Sequence, residues 1–276
     1  MKVTLWGTRG SVAAAGPDTV RYGGDTACVQ VTGPAGEMIL LDAGSGIRPV
    51  SAASNGATRI DVLITHLHMD HIQGLGFFAP LFDPGVETHL WGPPSTTMRL
   101  AERLGRYLSP PLFPVRLRDL PNTILHDVTP GPFQIGSVTV KADLVCHPGT
   151  TLGYRLEADT GTLAYLPDHE PALGVTDFPD APEWTSGNAL MEGVDLLIHD
   201  AQYTDEEYAA RVGWGHCTLT QLAAIAGRAD VGTLMSFHHD PAHSDDFLDD
   251  LNARFAAAER PFAYIPGRAG EVFDLS

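Results

Sequence analysis

A layered α/β domain is what the sequence predicts, and three observations predict it. Apolar residues fill 43% of the 276 positions, enough for a large core. Apolar runs of strand length recur along the chain and alternate with helical patterns. The residues able to do chemistry stand directly after those runs, at strand exits. Nothing in the length or composition demands a second domain, so a single domain over residues 1–276 is expected.

Taken in order, the elements read as follows. Lys2-Val3-Thr4-Leu5-Trp6 is a strand that opens the chain, with no basic-then-apolar signal segment before it. Ala27 to Val31 and Met38 to Asp42 are further strands, and Gly44-Ser45-Gly46 is a strand-to-helix turn. Val62-Leu63-Ile64 is the apolar run of a buried strand. Met98 to Leu108 has the pattern of an amphipathic helix. Pro110 to Pro132, punctuated by Pro111, Pro114, Pro121 and Pro130-Gly131, reads as irregular. Val138 to Val145, Thr162 to Leu166, Val194 to Ile198 and Gly232 to Phe237 are strands, with a hairpin through Gly153 to Thr162. Leu219 to Ala226 is a helix capped by Thr218, and Ser244 to Ala258 a surface helix.

The stretch Thr65-His66-Leu67-His68-Met69-Asp70-His71 carries most of the functional information. It sets three imidazoles and a carboxylate within six residues, straight after a buried strand. On an extended strand exit, positions 66 and 68 point the same way because side chains repeat with period two. A turn into helix at Asp70-His71 swings the next two side chains towards a second point nearby. One segment can then supply two ligands to each of two metal ions. Imidazole nitrogen and carboxylate oxygen are donors that hold Zn²⁺, or Mn²⁺ and Fe²⁺ less specifically.

The pattern H-x-H-x-D-H after a buried strand resembles the metallo-β-lactamase superfamily. That family closes its site with a lone His, an Asp and a final His, each at a strand exit. Here His147, Asp168 and His238 stand in that order after apolar strand candidates. The resemblance implies a four-layer αββα sandwich and two Zn²⁺ ions, with Mn²⁺ or Fe²⁺ as alternatives. It assigns His66, His68 and His147 to one ion and Asp70, His71 and His238 to the other, with Asp168 bridging both. His238 and His239 are adjacent; Pro241 matches the family's last-ligand segment if His238 is the ligand. His239 would then lie beside the site. Asp42 could orient a ligand imidazole or cap a helix.

A second constellation narrows the reaction. His199-Asp200-Ala201-Gln202-Tyr203 follows a strand, and His216 stands sixteen residues after Asp200 in Gly215-His216-Cys217-Thr218. This looks like the phosphodiesterase branch of the superfamily, shared by tRNA 3′-processing ribonucleases and class II cyclic-nucleotide phosphodiesterases. Two departures stand out: Asp200 where the ribonucleases carry Glu, and Cys217 where Ser is usual. Neither removes the chemistry, since Asp can orient an imidazole and His216 is intact. Two cations roughly 3.5–4 Å apart share a water whose pKa falls to about 7, giving a hydroxide nucleophile that Asp70 can orient. His216, fixed by Asp200, would be the general acid for the leaving alkoxide. A lactam or lactone hydrolase needs no such pair, so the site favours phosphodiesters.

Charge and cysteine content bound the partners. The formal charge is −17, from 34 acids against 17 bases, and the only lysines are Lys2 and Lys141. A surface that grips RNA needs basic side chains, so nucleic acid is not expected as a partner. The tRNA-processing relatives carry an arm between the lone His and the bridging Asp. His147 and Asp168 are 21 positions apart, which leaves room for a hairpin only. A small phosphodiester substrate follows, with a cyclic nucleotide the favoured form. Rival activities are a tRNA 3′ endonuclease, a cyclic phosphate hydrolase of phosphonate or sugar-phosphate metabolism, a lactonase, and a non-catalytic nucleotide sensor or sponge.

Cys28, Cys146 and Cys217 form no C-x-x-C pair and read as reduced thiols, which with the absence of a membrane-length apolar run suggests a cytoplasmic protein. The family resemblance suggests a homodimer. Arg9, Arg99, Arg103, Arg106, Arg116 and Arg118 could meet a phosphate near the mouth, or be ordinary surface arginines. Phe77 and Phe78 read as core, and Trp214, between Gly213 and Gly215, as a ligand wall. His89, His126, His169, His199 and His243 carry no spacing argument.

Overall fold

Strand parity sets the architecture. The computed structural model describes residues 1–50, 54, 56–171, 173–174, 178–179 and 181–275. Its strands in the first half of the chain are β1 (Lys2–Gly7), β2 (Cys28–Thr32), β3 (Met38–Leu41), β4 (Arg59–Leu63), β5 (Glu87–Gly92) and β6 (Thr123–Asp127). The second half supplies β7 (Gly131–Ile135), β8 (Val138–Leu144), β9 (Leu152–Ala158), β10 (Gly161–Leu166), β11 (Leu196–Asp200), β12 (Thr233–Phe237), β13 (Ala263–Pro266) and β14 (Val272–Asp274). Among the described residues they form two sheets, ordered β14-β1-β2-β3-β4-β5-β6 and β13-β12-β11-β10-β9-β8-β7.

Side chains of alternate parity leave each central strand on opposite faces. Leu5, Ile39 and Leu63 of the first sheet meet Tyr165, Ile198 and Phe237 of the second in one buried cluster between the sheets. Leu40, Val62 and Leu90 face outward and are covered by Ile72 of α1 (Met69–Ile72) and by Leu100 and Leu104 of α2 (Leu100–Leu104). On the other side Ala164, Leu197 and Leu234 pack under Leu190 of α3 (Asn188–Met191), Leu222 of α5 (Leu219–Arg228) and Phe255 of α6 (Asp245–Ala256). A short helix, α4 (Asp205–Tyr208), precedes α5. Central strands therefore bury both faces, which is why they read as near-continuous apolar runs. The result is the four-layer αββα sandwich.

Direction then places the site. Strands β3 to β6 run parallel, as do β10 to β13. Strands β8, β9 and β10 are successively antiparallel, so β8 exits at the same rim as β10. The carboxyl ends of parallel strands are where open α/β sheets hold ligands. Cross-sheet hydrogen bonds lock this rim: the Tyr154 hydroxyl donates to the Ile64 carbonyl at 2.8 Å, and the Leu152 amide to the Thr65 carbonyl at 2.9 Å.

Two expectations are corrected. The helix expected from Met98 to Leu108 is only Leu100–Leu104, because after Gly105 the chain tightens into turns, with the Arg106 amide on the Arg103 carbonyl and the Tyr107 amide on the Leu104 carbonyl. Pro110 to Pro132 is not irregular throughout: it holds β6 and the start of β7, each at a sheet edge. Edge position explains the weak signal, since Ile124 and Asp127 are exposed, no residue of β6 is fully buried and burial does not alternate along it. Among the described residues no helix is long and apolar enough to cross a membrane.

Phe237 is fully buried between the sheets, with its ring 5.8 Å from Tyr165. Phe237→Ala is expected to lower stability by about 3–5 kcal/mol, read as a shift of the denaturant midpoint with an unchanged slope.

Candidate metal centre

The heptapeptide from Thr65 does what its spacing suggests. It leaves β4 extended, and α1 begins at Met69 with His68 in extended backbone just before it. His147 follows β8, Asp168 follows β10 and His238 follows β12. Two four-donor groups result, each drawn within 4.8 Å: His66, His68, His147 and Asp168, and Asp70, His71, Asp168 and His238; Asp200, His216 and His238 form a third, smaller group. Asp168 belongs to both four-donor groups. Its Oδ1 lies 3.0 Å from His71 Nε2 and 3.1 Å from His238 Nε2, while Oδ2 lies 3.6 Å from both His66 Nε2 and His147 Nε2. Asp70 Oδ2 is 3.2 Å from His71 Nε2 and from His238 Nε2. His68 turns its Nδ1 to the group, 3.2 Å from His147 Nε2.

The far sides of four of the five rings are held by acceptors. His71 Nδ1 donates to Asp42 at 2.8 Å, His147 Nδ1 to the Gly215 carbonyl at 2.9 Å and His238 Nδ1 to Gln202 Oε1 at 2.9 Å. His66 Nδ1 lies 3.1 Å from the Thr65 hydroxyl, which in turn bonds Asp42. With Nδ1 protonated, the Nε2 lone pair is left to point at the centre. Asp42 thus orients the His71 imidazole and caps no helix. It also accepts from the Thr65 amide and the Tyr165 hydroxyl, so one buried carboxylate ties both sheets to the site.

Close approach is enforced by glycine. A Cβ on Gly215 would sit 2.2 Å from His147 Nδ1, and one on Gly10 would sit 2.4 Å from His238 Nδ1. Gly215 also has φ +90°, a region that side-chain-bearing residues avoid.

Protonation follows from these surroundings. Burial holds His66 well below the ordinary imidazole value, helped by the charge of neighbouring His71, and burial lowers His147 as well. Burial works against ionising Asp168, but His238, His71 and His66 outweigh it and hold the carboxyl well below its usual range. Asp70 is likewise held low by His71 and His238 against the effect of burial. His71 moves up: burial opposes this, but the Asp168, Asp42 and Asp70 carboxylates prevail. The cluster therefore demands positive charge. His66 Nε2, His71 Nε2 and Asp168 Oδ1 are fully buried and make no hydrogen bond, which native structures rarely tolerate. Nitrogen and carboxylate donors left in this way fit divalent cations.

His216 and Asp200 stand beside the cluster. His216 Nδ1 donates to Asp200 Oδ2 at 2.6 Å, and the ring stacks on His238 at 5.1 Å between centroids. Asp200 is fixed by the Gln202 and His169 amides at 2.9 and 3.2 Å. Burial opposes protonation of His216, but Asp200 outweighs it and pushes the imidazole up to about 9.

Other candidates lie elsewhere. His239 is buried and points away, its Nε2 donating to the Gly267 carbonyl at 2.8 Å and its ring edge-on to Tyr22; burial drives it down to about 3. Arg9 is not at the mouth: it is fully buried, donating to the Gly23, Asp240 and His243 carbonyls. Phe78 is core, but Phe77 is exposed and packs edge-on against Phe113. Arg103 reaches Asp127, and with Arg106 lines a cavity of about 570 Å³ beside Leu67 and Met69. Arg116 and Arg118 line a different cavity. Trp214 is 60% exposed and Tyr203 sits edge-on to His216. His169 and His199 bond each other behind the site, as His89 and His126 do at the far sheet edge. Thr65, Gln202 and the Gly215 carbonyl escape sequence reasoning, since nothing in their type marks them as supports for a ligand.

A β-lactamase superfamily domain model matches residues 37–239. Ribonuclease Z of Mycobacterium sp. (strain KMS) is 27% identical over 280 residues, spanning 94% of this chain and 90% of that protein. The metallo-β-lactamase fold protein YhfI from Bacillus subtilis matches with a TM-score of 0.71 at 18% identity, over 99% of this chain and 98% of that one. Zn²⁺-bound PqqB from Methylobacterium extorquens matches with a TM-score of 0.70 at 18% identity, over 99% and 100%.

Asp168→Ala is expected to abolish retention of metal, measured by elemental analysis after dialysis, while circular dichroism keeps the native signal. A fully loaded variant would overturn the shared role of this carboxylate.

Proposed function

The chain belongs to the β-lactamase superfamily and is a metal-dependent hydrolase; from that premise we propose a dinuclear zinc phosphodiesterase that cleaves a small phosphodiester, a cyclic nucleotide foremost, with His216 as general acid. The observation that carries this reading is the His216–Asp200 pair beside His238. Such a pair can protonate a departing alkoxide, which leaves phosphorus poorly without a proton.

The chain's own residues divide the work. His66, His68 and His147 would hold one ion, Asp70, His71 and His238 the other, and Asp168 would bridge them. Divalent ions so held supply Lewis-acid stabilisation of the charge that builds on the phosphoryl oxygens. Asp70, kept anionic by His71 and His238 and held by the Ser11 amide at 2.8 Å, orients an attacking water. His216 keeps Nδ1 on Asp200, so Nε2 carries the proton for the leaving oxygen. Zinc suits the imidazole-rich donor set; Mn²⁺ and Fe²⁺ are accommodated by the same atoms.

A nuclease acting on RNA is the second reading, because the relative at 27% identity is a Ribonuclease Z. Charge and topology favour the small substrate. The net charge of −17 gives little to displace cations from a polynucleotide. Strands β9 and β10 are joined by Asp159 and Thr160 alone, so no arm extends between His147 and Asp168. The family resemblance implies a homodimer, and the three unpaired cysteines suit a cytoplasmic setting.

His216→Ala is expected to lower kcat about 10²–10⁴-fold on diesters with alkoxide leaving groups. On bis-p-nitrophenyl phosphate, whose leaving group needs no proton, the loss should be far smaller, with metal content unchanged. An equal loss on both substrates would remove His216 as the acid. The Asp200 carboxylate raises the His216 value, so the protonated, active form persists to higher pH with it than without it. Asp200→Asn should therefore move the alkaline limb of the kcat profile to lower pH. Side by side, cyclic mononucleotides should be cleaved well and pre-tRNA poorly at physiological salt. Efficient trimming would favour the nuclease, and stoichiometric capture without turnover would favour a sensor.

A further inference from the structure

Glu170, two residues past Asp168, is fully buried, and its carboxylate is answered by neutral donors alone. Oε1 accepts from the Tyr208 hydroxyl and the Gly213 amide at 2.8 Å each; Oε2 accepts from the Gly215 amide at 2.8 Å and the Gly213 amide at 3.0 Å. A buried carboxylate costs several kcal/mol in lost hydration, so a position that holds one is set by what it binds. What it binds is the loop from Gly213 to His216. Both glycines have positive φ, +86° and +90°, a tight path in which neither offers a side chain to hold it. The Gly215 peptide links two jobs: its N–H goes to Glu170, and its carbonyl accepts from His147 Nδ1 at 2.9 Å. The Glu170 backbone grips the other flank of the same ligand, its N–H donating to the Cys146 carbonyl at 2.9 Å. His147 is thereby clamped from both sides, and His216 is the next residue along the loop.

We propose that Glu170 is a positioning residue that sets His147 for metal binding and His216 for proton donation through one hydrogen-bonded loop. The proposal rests on the reading of His147 as a ligand, and it makes a claim about metal affinity that is independent of any substrate. A metal-ligating imidazole loses about 10–100-fold in metal affinity when its outer partner is removed. Loss of Glu170 should act the same way at one remove, and only on the ion held by His66, His68 and His147. The ion held by Asp70, His71 and His238 depends on Asp42 and Gln202 instead.

The test is chelator competition with Zn²⁺ on the full chain, carried out on Glu170→Ala, Glu170→Gln and Tyr208→Phe. Glu170→Ala should weaken one Zn²⁺ equivalent about 10–100-fold and leave the other near wild type. It should also lower kcat on alkoxide diesters more than on p-nitrophenolate diesters, as expected if His216 drifts. Glu170→Gln keeps an amide oxygen for the two glycine N–H groups and its NH₂ for the Tyr208 oxygen, so it should restore most of both properties. Tyr208→Phe spares the glycine bonds and should change little. Where Glu170→Ala does not fold, Glu170→Asp, one methylene too short to span the same donors, replaces it with the same expectation. Wild-type affinity at both equivalents in a folded variant overturns the proposal, as does equal weakening of both. Should wild-type protein bind no Zn²⁺ at all, the fault lies with the metal reading and not with Glu170.

Discussion

Asp168 is the residue on which the rest of the site turns. It is fully buried, it belongs to both four-donor groups, and its two oxygens face four different imidazoles. A carboxylate removed from water is tolerated only where positive charge or hydrogen bonds answer it. Here Oδ1 makes no hydrogen bond, and neither do His66 Nε2 and His71 Nε2, which face the same carboxylate. Close packing of unanswered donors and acceptors is unstable unless a cation stands among them. The fold is arranged around that demand. Strands from both sheets run their carboxyl ends to one rim, and β4, β8, β10 and β12 together bring these donors to a point that no single element could furnish.

Rigidity at that point comes from outside the ligand set. Asp42, Thr65, Gln202 and the Gly215 carbonyl fix the rings of His71, His66, His238 and His147. These four supports come from four different places in the chain. Asp42 follows β3 and takes hydrogen bonds from Thr65 after β4 and Tyr165 in β10, so the two sheets cannot slide without breaking them. Both Asp42 and His238 adopt positive φ, +60° and +58°, which few non-glycine residues do. Such backbone persists where the surroundings over-determine it, and it clusters at functional sites.

How much of this was legible in the sequence depends on what each residue answers to. The central strands read clearly because both faces are buried, so Val62, Leu63, Ile198 and Phe237 stand in unbroken apolar runs. The ligand candidates read clearly because imidazoles and carboxylates are conspicuous after such runs. Strand β6 was hidden, since an edge strand with Ile124 exposed lacks the alternation that marks a half-buried one. The helix around Arg103 was over-long, because periodicity cannot show where the chain tightens into turns after Gly105. Phe77 and Arg9 traded places with expectation: the aromatic is exposed and the cation is buried among carbonyls, a matter of tertiary neighbours alone. Glu170 carries no local signal at all. Its partners lie at Tyr208, Gly213 and Gly215, and only the folded chain puts them round one carboxylate.

The closeness of the His216–Asp200 pair to the metal donors has a physical sense on the proposed reading. Divalent charge beside an imidazole repels its proton and drives its pKa down. Asp200 pulls the other way, up to about 9 when the carboxylate acts on the ring. Placed between these two influences, His216 can remain protonated near neutral pH while still giving its proton up to an alkoxide. A histidine without the carboxylate would be stripped of its proton by the very ions it works beside. The carboxylate needs its own anchor to do this, and the Gln202 and His169 amides supply it. Gln202 also holds His238 through its side chain, and His169 follows Asp168, so acid and ligands are braced by the same short segments. Proton donation and metal binding are in this sense a single mechanical unit, held together by backbone.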